Sequence, residues 1–244
     1  MASLAITQYM LAGFCALLVG VTKTGLPGLG ILIVPLFAVV LPARASTGAL
    51  LPLLMAGDVI AVVYYRRMAV WPRLLRLLPW TAAGIVLGYL AMDRLAEARF
   101  RPLLGAVIIV LLAVNFWRER RPNASFPSRW WFAAVMGLLA GITTMFANAA
   151  GPVMVIYLLA MGLPRIEFIA TGAWFFFIVN CLKVPFSLSL GLINRSSLLL
   201  DARLVPLVAL GALAGVFLAQ RIPQKLFNSV VQLLTLAAAI KMLW

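Results

Sequence analysis

Two lysines lie inside apolar segments of this sequence, where a membrane protein rarely places a charge. Lys23 is part of the stretch GVTKTGLPGLG at 20–30, and Lys183 is part of FFFIVNCLKVPF. A charge near the centre of a bilayer costs about 3 kcal/mol or more, so such residues are functional candidates by default. Ammonium groups form strong, charge-assisted hydrogen bonds with oxyanions. The two lysines therefore predict a binding site for a small anion.

The first of these stretches also breaks its own helix. It contains Gly25, Gly28 and a proline, and backbone that leaves a helix in the membrane needs protein or a wet cavity around it. A helix that begins at such a break points free N–H groups and the positive end of its dipole into that cavity. The stretch GITTMFANAAG at 141–151 repeats the pattern, with Asn148 placed to cap a helix that starts near Gly151. Two facing helix N-termini favour an anion.

Other polar side chains near the two breaks can also donate hydrogen bonds. Asn180 lies three residues before Lys183, on the same face of a helix. Each threonine hydroxyl can serve the substrate or can equally bond to its own helix. Asp58 is either an ion-pair partner for a lysine or a carboxylate that couples transport to protons. The predicted substrate-binding residues are Lys23, Thr24, Gly25, Gly28, Thr143, Thr144, Asn148, Gly151, Asn180 and Lys183.

The composition indicates an integral membrane protein. The 244 residues are 65% hydrophobic and 11% charged, whereas soluble domains are about half apolar and about a quarter charged. Apolar stretches of the roughly 17–25 residues that a bilayer requires tile nearly the whole chain. The net charge of +14 comes mostly from arginines at the ends of these stretches, as orientation in a membrane requires. Nucleic-acid binding is therefore not expected.

The inventory of reactive side chains argues against an enzyme. The sequence contains no histidine, and its two cysteines, Cys15 and Cys181, both lie in apolar segments. The usual zinc, copper and haem sites lack their ligands. A Ser-His-Asp or Cys-His catalytic arrangement lacks its base. We expect no enzymatic activity, no metal site and no cofactor.

The chain reads as two copies of one unit. The stretch at 20–30 aligns with the stretch at 141–151, and the dipeptides Leu-Pro and Thr-Gly recur in both halves. In the clearest match, five residues of the first half recur in the second half at one constant distance along the chain. Pro79, Gly84, Gly88, Arg94 and Phe100 correspond to Pro206, Gly211, Gly215, Arg221 and Phe227. We assign the first repeat to 1–117, a polar linker to 118–129 and the second repeat to 130–244.

Each copy contains five helical segments, which predicts an all-α fold with about eight to ten membrane segments. The second segment of each copy is short for a full crossing. If it counts as a separate segment, each copy makes an odd number of crossings, and the copies are inverted as in transporters. If each broken pair is one interrupted span, the copies have four crossings and run parallel. The predicted segments lie near 5–22, 28–41, 47–65, 74–92, 100–117, 130–146, 151–161, 167–190, 203–220 and 225–243.

The chain resembles the TauE/SafE family, the sulfite exporter family of membrane permeases. The similarity to its paired glycine-rich signatures and its aspartate-bearing helix lies in GVTKTGLPGLGILIVP, LPLLMAGDVIAVVYYRR and AGITTMFANAAGPVMVIYLL. The matching helix of the second half is EFIATGAWFFFIVNCLKVPF. This resemblance covers nearly the whole chain. It implies export, or for some members uptake, of sulfite or of small organosulfonates such as sulfoacetate.

These observations together predict a multi-pass protein of the plasma membrane, the inner membrane of a bacterium. We expect a secondary transporter that exports a small sulfur oxyanion by alternating access. Its partners would be the anionic substrate, the lipid bilayer and, in a homodimer, a second copy of the chain. Three alternatives stay open: a channel-like anion pore, an uptake permease for a sulfur anion or a carboxylate, and a membrane scaffold subunit whose polar centre only packs.

Overall fold

The computed structural model describes residues 6–25, 30–94, 96–120 and 130–218, together with residues 233, 236 and 240. Within these ranges the chain forms nine α-helices and no strand. They are α1 (Ile6–Thr24), α2 (Gly30–Val40), α3 (Ala43–Tyr65), α4 (Trp71–Asp93), α5 (Glu97–Arg120), α6 (Trp130–Ala147), α7 (Gly151–Ala160), α8 (Arg165–Ser189) and α9 (Arg195–Leu218). The predicted all-helical fold is confirmed for these residues.

Six of the described helices are long and apolar enough to cross a membrane, namely α1, α3, α4, α6, α8 and α9. The helices α2 and α7 have only 11 and 10 residues. At 1.5 Å per residue each spans about 15 Å, which is half of a hydrocarbon core of about 30 Å. Large apolar side chains such as Leu75, Val110 and Leu213 are exposed on the outside, and such a surface suits the hydrocarbon core of a bilayer. The chain is a multi-pass membrane protein.

The interior is filled by large apolar side chains from both halves of the chain. Fully buried examples are Phe37, Leu50, Leu77, Ile85, Tyr157 and Phe175. The helices α3 and α8 begin in the same way, because a proline directly precedes each of them. The φ and ψ angles are −49° and 139° at Pro42 and −54° and 151° at Pro164. A proline in this place sacrifices no intrahelical hydrogen bond. The recurring Leu-Pro dipeptide therefore marks a helix start in each half.

Glycines bring two pairs of helices into close contact. Gly20 on α1 lies against Gly211 on α9, and Gly141 on α6 lies against Gly84 on α4. A Cβ atom added to any of these four glycines would lie less than 3.0 Å from backbone of the facing helix. Small residues are what permit helices in a membrane to approach so closely. The packing of α1 on α9 thus has the same form as the packing of α6 on α4.

The helices α3 and α8 run antiparallel to each other. Gly48, near the start of α3, faces Leu192, just beyond the end of α8. Ten residues further along α3, Asp58 meets Asn180, which lies earlier on α8. Residue numbers therefore rise on one helix while they fall on the other. The crossing of these two helices places the polar residues of both near the centre of the molecule.

One predicted boundary is wrong by a full two turns. The segment predicted near 203–220 begins at Arg195, because Asn194 stabilises an earlier start. The Ser197 N–H donates to Asn194 Oδ1 at 3.0 Å, which is the bond of a helix N-cap. The tenth predicted segment, 225–243, and most of the linker at 118–129 lie outside the described residues.

Candidate functional site

The two places where a helix ends inside the chain's apolar centre border one cavity. After α1 ends at Thr24, Gly25 lines this cavity, and Gly151 lines it at the beginning of α7. The cavity has a volume of about 110 Å³. One water molecule needs roughly 10–15 Å³ by the same measure, so a small anion or several waters fit.

Asn148 shapes the second of these two places. Its φ of 49° lies in the left-handed region, which asparagine adopts more readily than most residues. Its backbone N–H donates to the Thr144 carbonyl at 2.9 Å and closes α6. Its side-chain Nδ2 donates to the Thr47 carbonyl at 2.7 Å, and its Oδ1 accepts a hydrogen bond from Lys183 Nζ. The predicted cap of α7 is therefore wrong, because the amide bridges α3 and α8 instead.

The first lysine of the sequence forms a buried ion pair. Lys23 Nζ lies 2.6 Å from Asp58 Oδ1, and the two side chains are 9% and 0% exposed. Asn180 Nδ2 donates to the other carboxylate oxygen, Asp58 Oδ2, at 2.6 Å. Lys23 Nζ also lies 4.6 Å from the centre of the Phe176 ring, a cation–π contact. Asp58 and the aromatic ring together stabilise a charge that would be costly to bury alone.

Among the described residues, the second lysine is held by neutral groups rather than by a carboxylate. Lys183 is 2% exposed, and its Nζ donates to Asn148 Oδ1 and, at 3.4 Å, to Thr144 Oγ1. Both acceptors are neutral, so their dipoles take the place of water around this ammonium. Counted as formal charges, the two lysines and Asp58 leave one positive charge in the cluster.

The lining of the cavity is polar in one part and apolar in the rest. Thr22 Oγ1 is buried and has no hydrogen-bond partner among the described residues, so its hydroxyl is available to a ligand. The other polar lining side chains are those of Lys23, Thr144, Asn148 and Asn180. Apolar lining residues include Leu54, Val155, Leu158, Phe168, Ile169 and Phe176. Such a mostly apolar cavity with a few converging polar groups is typical of small-molecule sites.

Comparison with known proteins identifies the family. A protein-family model described as Sulfite exporter TauE/SafE matches residues 11–242 of the 244. The chain belongs to the TauE/SafE family. The resemblance found in the sequence is thereby confirmed, and membership implies a membrane transporter of the sulfur-anion exporter type rather than an enzyme. No curated protein and no solved structure gives a significant match.

Most of the predicted site residues of this TauE/SafE protein gather at the cavity. Lys183 donates a hydrogen bond to Asn148, which lines the cavity, and so lies behind Asn148 as seen from the cavity. Gly28 lies outside the described residues. Those that line the cavity directly are Lys23, Gly25, Thr144, Asn148, Gly151 and Asn180.

Two predicted threonines bond within the protein instead. The buried Thr24 Oγ1 donates to the Ala212 carbonyl of α9 at 2.7 Å. Thr143 Oγ1 donates to the Leu139 carbonyl of its own helix at 2.7 Å. The alternative considered for the threonines, a hydrogen bond to their own helix, describes Thr143 fully. It describes Thr24 in part, because its hydroxyl lies 3.1 Å from the Gly20 carbonyl of α1 as well as bonding to α9. Neither is among the residues found to line the cavity.

The lining residues that the predicted set omits include Thr22, with its free hydroxyl, and Phe176, whose ring contacts Lys23. Both carried a signal in the sequence. Thr22 aligns with Thr143 when the two glycine-rich stretches are superimposed. Phe176 lies four residues before Asn180, which places both on one face of α8. A search restricted to hydrogen-bonding residues overlooks such an aromatic wall.

Proposed function

We propose that this protein is a secondary transporter that exports small sulfur-containing oxyanions, such as sulfite or organosulfonates, and that the polar end of the cavity binds them. The placement of Lys23 carries this proposal, since this residue lines the cavity and its ammonium is paired with the buried Asp58 carboxylate. An oxyanion in the cavity can accept hydrogen bonds from this ammonium and from the free hydroxyl of Thr22. Family membership supplies the sulfur chemistry.

Around that contact, neutral groups would orient the anion. The amides of Asn148 and Asn180 and the hydroxyl of Thr144 line the same part of the cavity. Lys183 adds positive charge from behind Asn148. An inside-negative potential favours the exit of an anion by about 2.3 kcal/mol per charge per 100 mV, so export needs no further energy source. Uptake would need coupling to a cation or proton, and Asp58 is the candidate carboxylate for it.

We propose further that 1–117 and 130–244 are inverted repeats joined by the linker at 118–129. The antiparallel course of α3 and α8 supports this, because both carry the recurring Thr-Gly pair and are thus corresponding helices. Corresponding helices of parallel repeats would run in the same direction. The reciprocal contacts of α1 on α9 and of α6 on α4 are those that a two-fold relation produces.

This arrangement suggests how the site would alternate between the two sides. The short helices α2 and α7 would pair with α1 and α6 as broken hairpins that meet at the cavity. Movement of one repeat against the other would then open the cavity to each side in turn. We assign the protein to the inner membrane of a bacterium, with the exposed apolar faces available to lipid or to a second copy in a homodimer.

The test is anion flux into proteoliposomes that contain the purified protein, with sulfite, methanesulfonate and sulfate as substrates. Lys23→Ala should abolish flux, but it also leaves Asp58 buried without its cation. The double variant Lys23→Met with Asp58→Asn removes both charges and is measured beside it. Arg203→Ala, which removes an exposed cation from α9, is the matched control and should keep its flux.

Each other outcome has a defined meaning. Unchanged flux in a correctly folded double variant would overturn the assignment of the anion site to Lys23. Flux that never saturates and shows no trans-stimulation would favour a channel-like pore. A protein that neither transports nor gains thermal stability with any oxyanion would favour the scaffold alternative.

A further inference from the structure

We propose that a groove between the α3–α4 loop, residues 66–70, and the beginning of α8 binds a phospholipid whose head group carries a primary ammonium, as phosphatidylethanolamine does. Arg67 holds the lipid phosphate, and Glu167 accepts hydrogen bonds from the ammonium. The acyl chains follow apolar side chains next to this charged pair. The lipid site is separate from the central cavity, and it does not depend on which anion that cavity takes.

The groove lies where three membrane-crossing helices end or begin. The helix α3 ends at Tyr65, α4 begins at Trp71 and α8 begins at Arg165. The volume of the groove is about 890 Å³, within the range of roughly 300–1,000 Å³ that is typical of binding pockets. The ends of membrane helices lie at the boundary between hydrocarbon and water. A groove in this place meets phospholipid head groups.

Contacts between the loop and α8 fix the shape of the groove. The Val70 N–H donates to Thr171 Oγ1 of α8 at 2.9 Å. The Trp71 ring, which lines the groove, packs against the Trp174 ring of α8 with 5.0 Å between the ring centres. The loop is therefore held against α8, and the groove is formed before a ligand enters it.

The groove carries one charge of each sign. Arg67 comes from the loop, and Glu167 lies in the first turn of α8. Among the described residues, neither side chain has an ion-pair or hydrogen-bond partner, so both are available to a ligand. A guanidinium donates to a phosphate, and a carboxylate accepts from an ammonium. A head group that contains both charges matches the pair, whereas a simple anion would also meet the negative charge of Glu167.

Apolar side chains continue from this charged pair. Met68, Trp71 and Ile166 line the groove and are exposed. Leu75, which is also exposed, lies four residues after Trp71 and thus on the same face of α4. Acyl chains can cover this surface, and a soluble zwitterion cannot. The occupant that fits both the charges and the apolar surface is therefore a lipid.

The surrounding arginines assign the groove to one leaflet. Arg66, Arg73 and Arg76 accompany Arg67 in this part of the sequence. An excess of arginine and lysine near the ends of membrane helices is typical of the cytoplasmic side. The lipid therefore comes from the cytoplasmic leaflet. Since Arg67 and Glu167 belong to different halves of the chain, this lipid joins the two halves.

Lipid selectivity tests the proposal directly. Native mass spectrometry of the intact protein in detergent measures the Kd for phosphatidylethanolamine, phosphatidylcholine and phosphatidylglycerol with identical acyl chains. The ammonium of phosphatidylcholine is trimethylated and cannot donate to Glu167, and phosphatidylglycerol has no ammonium. Phosphatidylethanolamine should therefore bind about fivefold tighter than either. A preference for phosphatidylglycerol, or equal binding of all three lipids, would overturn the proposal.

Variants of the charged pair locate the lipid. Glu167→Gln should remove the preference for phosphatidylethanolamine over phosphatidylcholine, while Glu167→Asp should keep it. Arg67→Ala should weaken the binding of both lipids by about fivefold. The controls are Arg66→Ala and Asp93→Asn, which change exposed charges that are not found to line the groove. A preference that persists in full in Glu167→Gln would mean that the head group does not lie in this groove.

Competition with a soluble anion separates the groove from the central cavity. Methanesulfonate in large excess should not displace bound phosphatidylethanolamine, because the groove binds the whole zwitterionic head group and its chains. Displacement would mean that the groove takes soluble anions, which would overturn the lipid assignment. A protein that selects phosphatidylethanolamine but transports no oxyanion would contradict the proposed function and leave this inference intact.

Discussion

The two lysines of the apolar centre lie one in each half of the chain, on helices that do not correspond, and they are stabilised differently. Lys23, at the end of α1, is paired with the Asp58 carboxylate and faces the cavity. Lys183, on α8, donates to the neutral groups of Asn148 and Thr144 behind the cavity wall. Under the proposed function, the first lysine would exchange part of its contact with Asp58 for a contact with an anion. The second would contribute its charge without touching the ligand.

The backbone packing of the two halves shows no such difference. The glycine contacts of α1 with α9 and of α6 with α4 involve equivalent residues at equivalent separations. The molecule therefore combines symmetric helix packing with an asymmetric set of charges. We interpret the packing as the part that holds the helices together and the charges as the part that would bind an anion. The predictions below separate these two roles.

The largest effect is expected for Asp58→Ala. It leaves the Lys23 ammonium buried without its counterion, which typically costs about 3–5 kcal/mol of folding stability. The corresponding change in the other half, Asn148→Ala, removes one neutral acceptor from Lys183 and should cost about 1–3 kcal/mol. Thermal unfolding in detergent measures both. Val59→Ala, at the exposed neighbour on α3, is the control, and a loss in Asp58→Ala no greater than in that control would contradict the ion pair.

Removal of each lysine should separate their roles in binding. The variant Lys23→Met with Asp58→Asn loses a charged hydrogen bond to the anion, worth about 1.5–3 kcal/mol, or roughly tenfold or more in Kd. Lys183→Met should weaken binding by a smaller factor, since its ammonium lies behind Asn148. Anion-dependent thermal stabilisation reports both values. Equal losses in the two variants would mean that both lysines contact the ligand.

Glycine variants should affect the two halves equally. Gly20→Ala and Gly141→Ala each force a Cβ atom into the backbone of the facing helix, and overpacking of this kind typically costs about 1–3 kcal/mol. Gly151→Ala, whose Cβ would have no atom within 4 Å, is the control and should not destabilise by packing. Thermal unfolding compares the three proteins. A loss in only one of the two helix pairs would contradict the proposed symmetry.

Much of this organisation was predictable from the sequence, because burial and charge leave local signals. A lysine in an apolar segment identified Lys23 and Lys183, and the repeated Gly-rich stretches identified the two places where helices end. The pairing of helices was not predictable, since periodicity shows which face is apolar without showing which helix covers it. For that reason the sequence left open whether Asp58 pairs with Lys23 or with Lys183. The same limit applies to Thr24, whose partner lies 188 residues away on α9.

The smallest effect on stability is expected when Thr24 or Thr143 is replaced by valine. These two variants distinguish a contribution to helix packing from a contribution to ligand binding. Thr24→Val removes the hydrogen bond to the Ala212 carbonyl that joins α1 to α9. Bonds between membrane helices are worth about 0.6 kcal/mol on average and at most about 1.7 kcal/mol. Thr143→Val removes a bond within α6 alone and should cost less, because the Leu139 carbonyl keeps its place in the helix. Neither variant should alter the affinity for an anion. If Thr24→Val binds the anion more weakly while its stability is unchanged, the Thr24 hydroxyl must turn toward the substrate when the cavity is occupied.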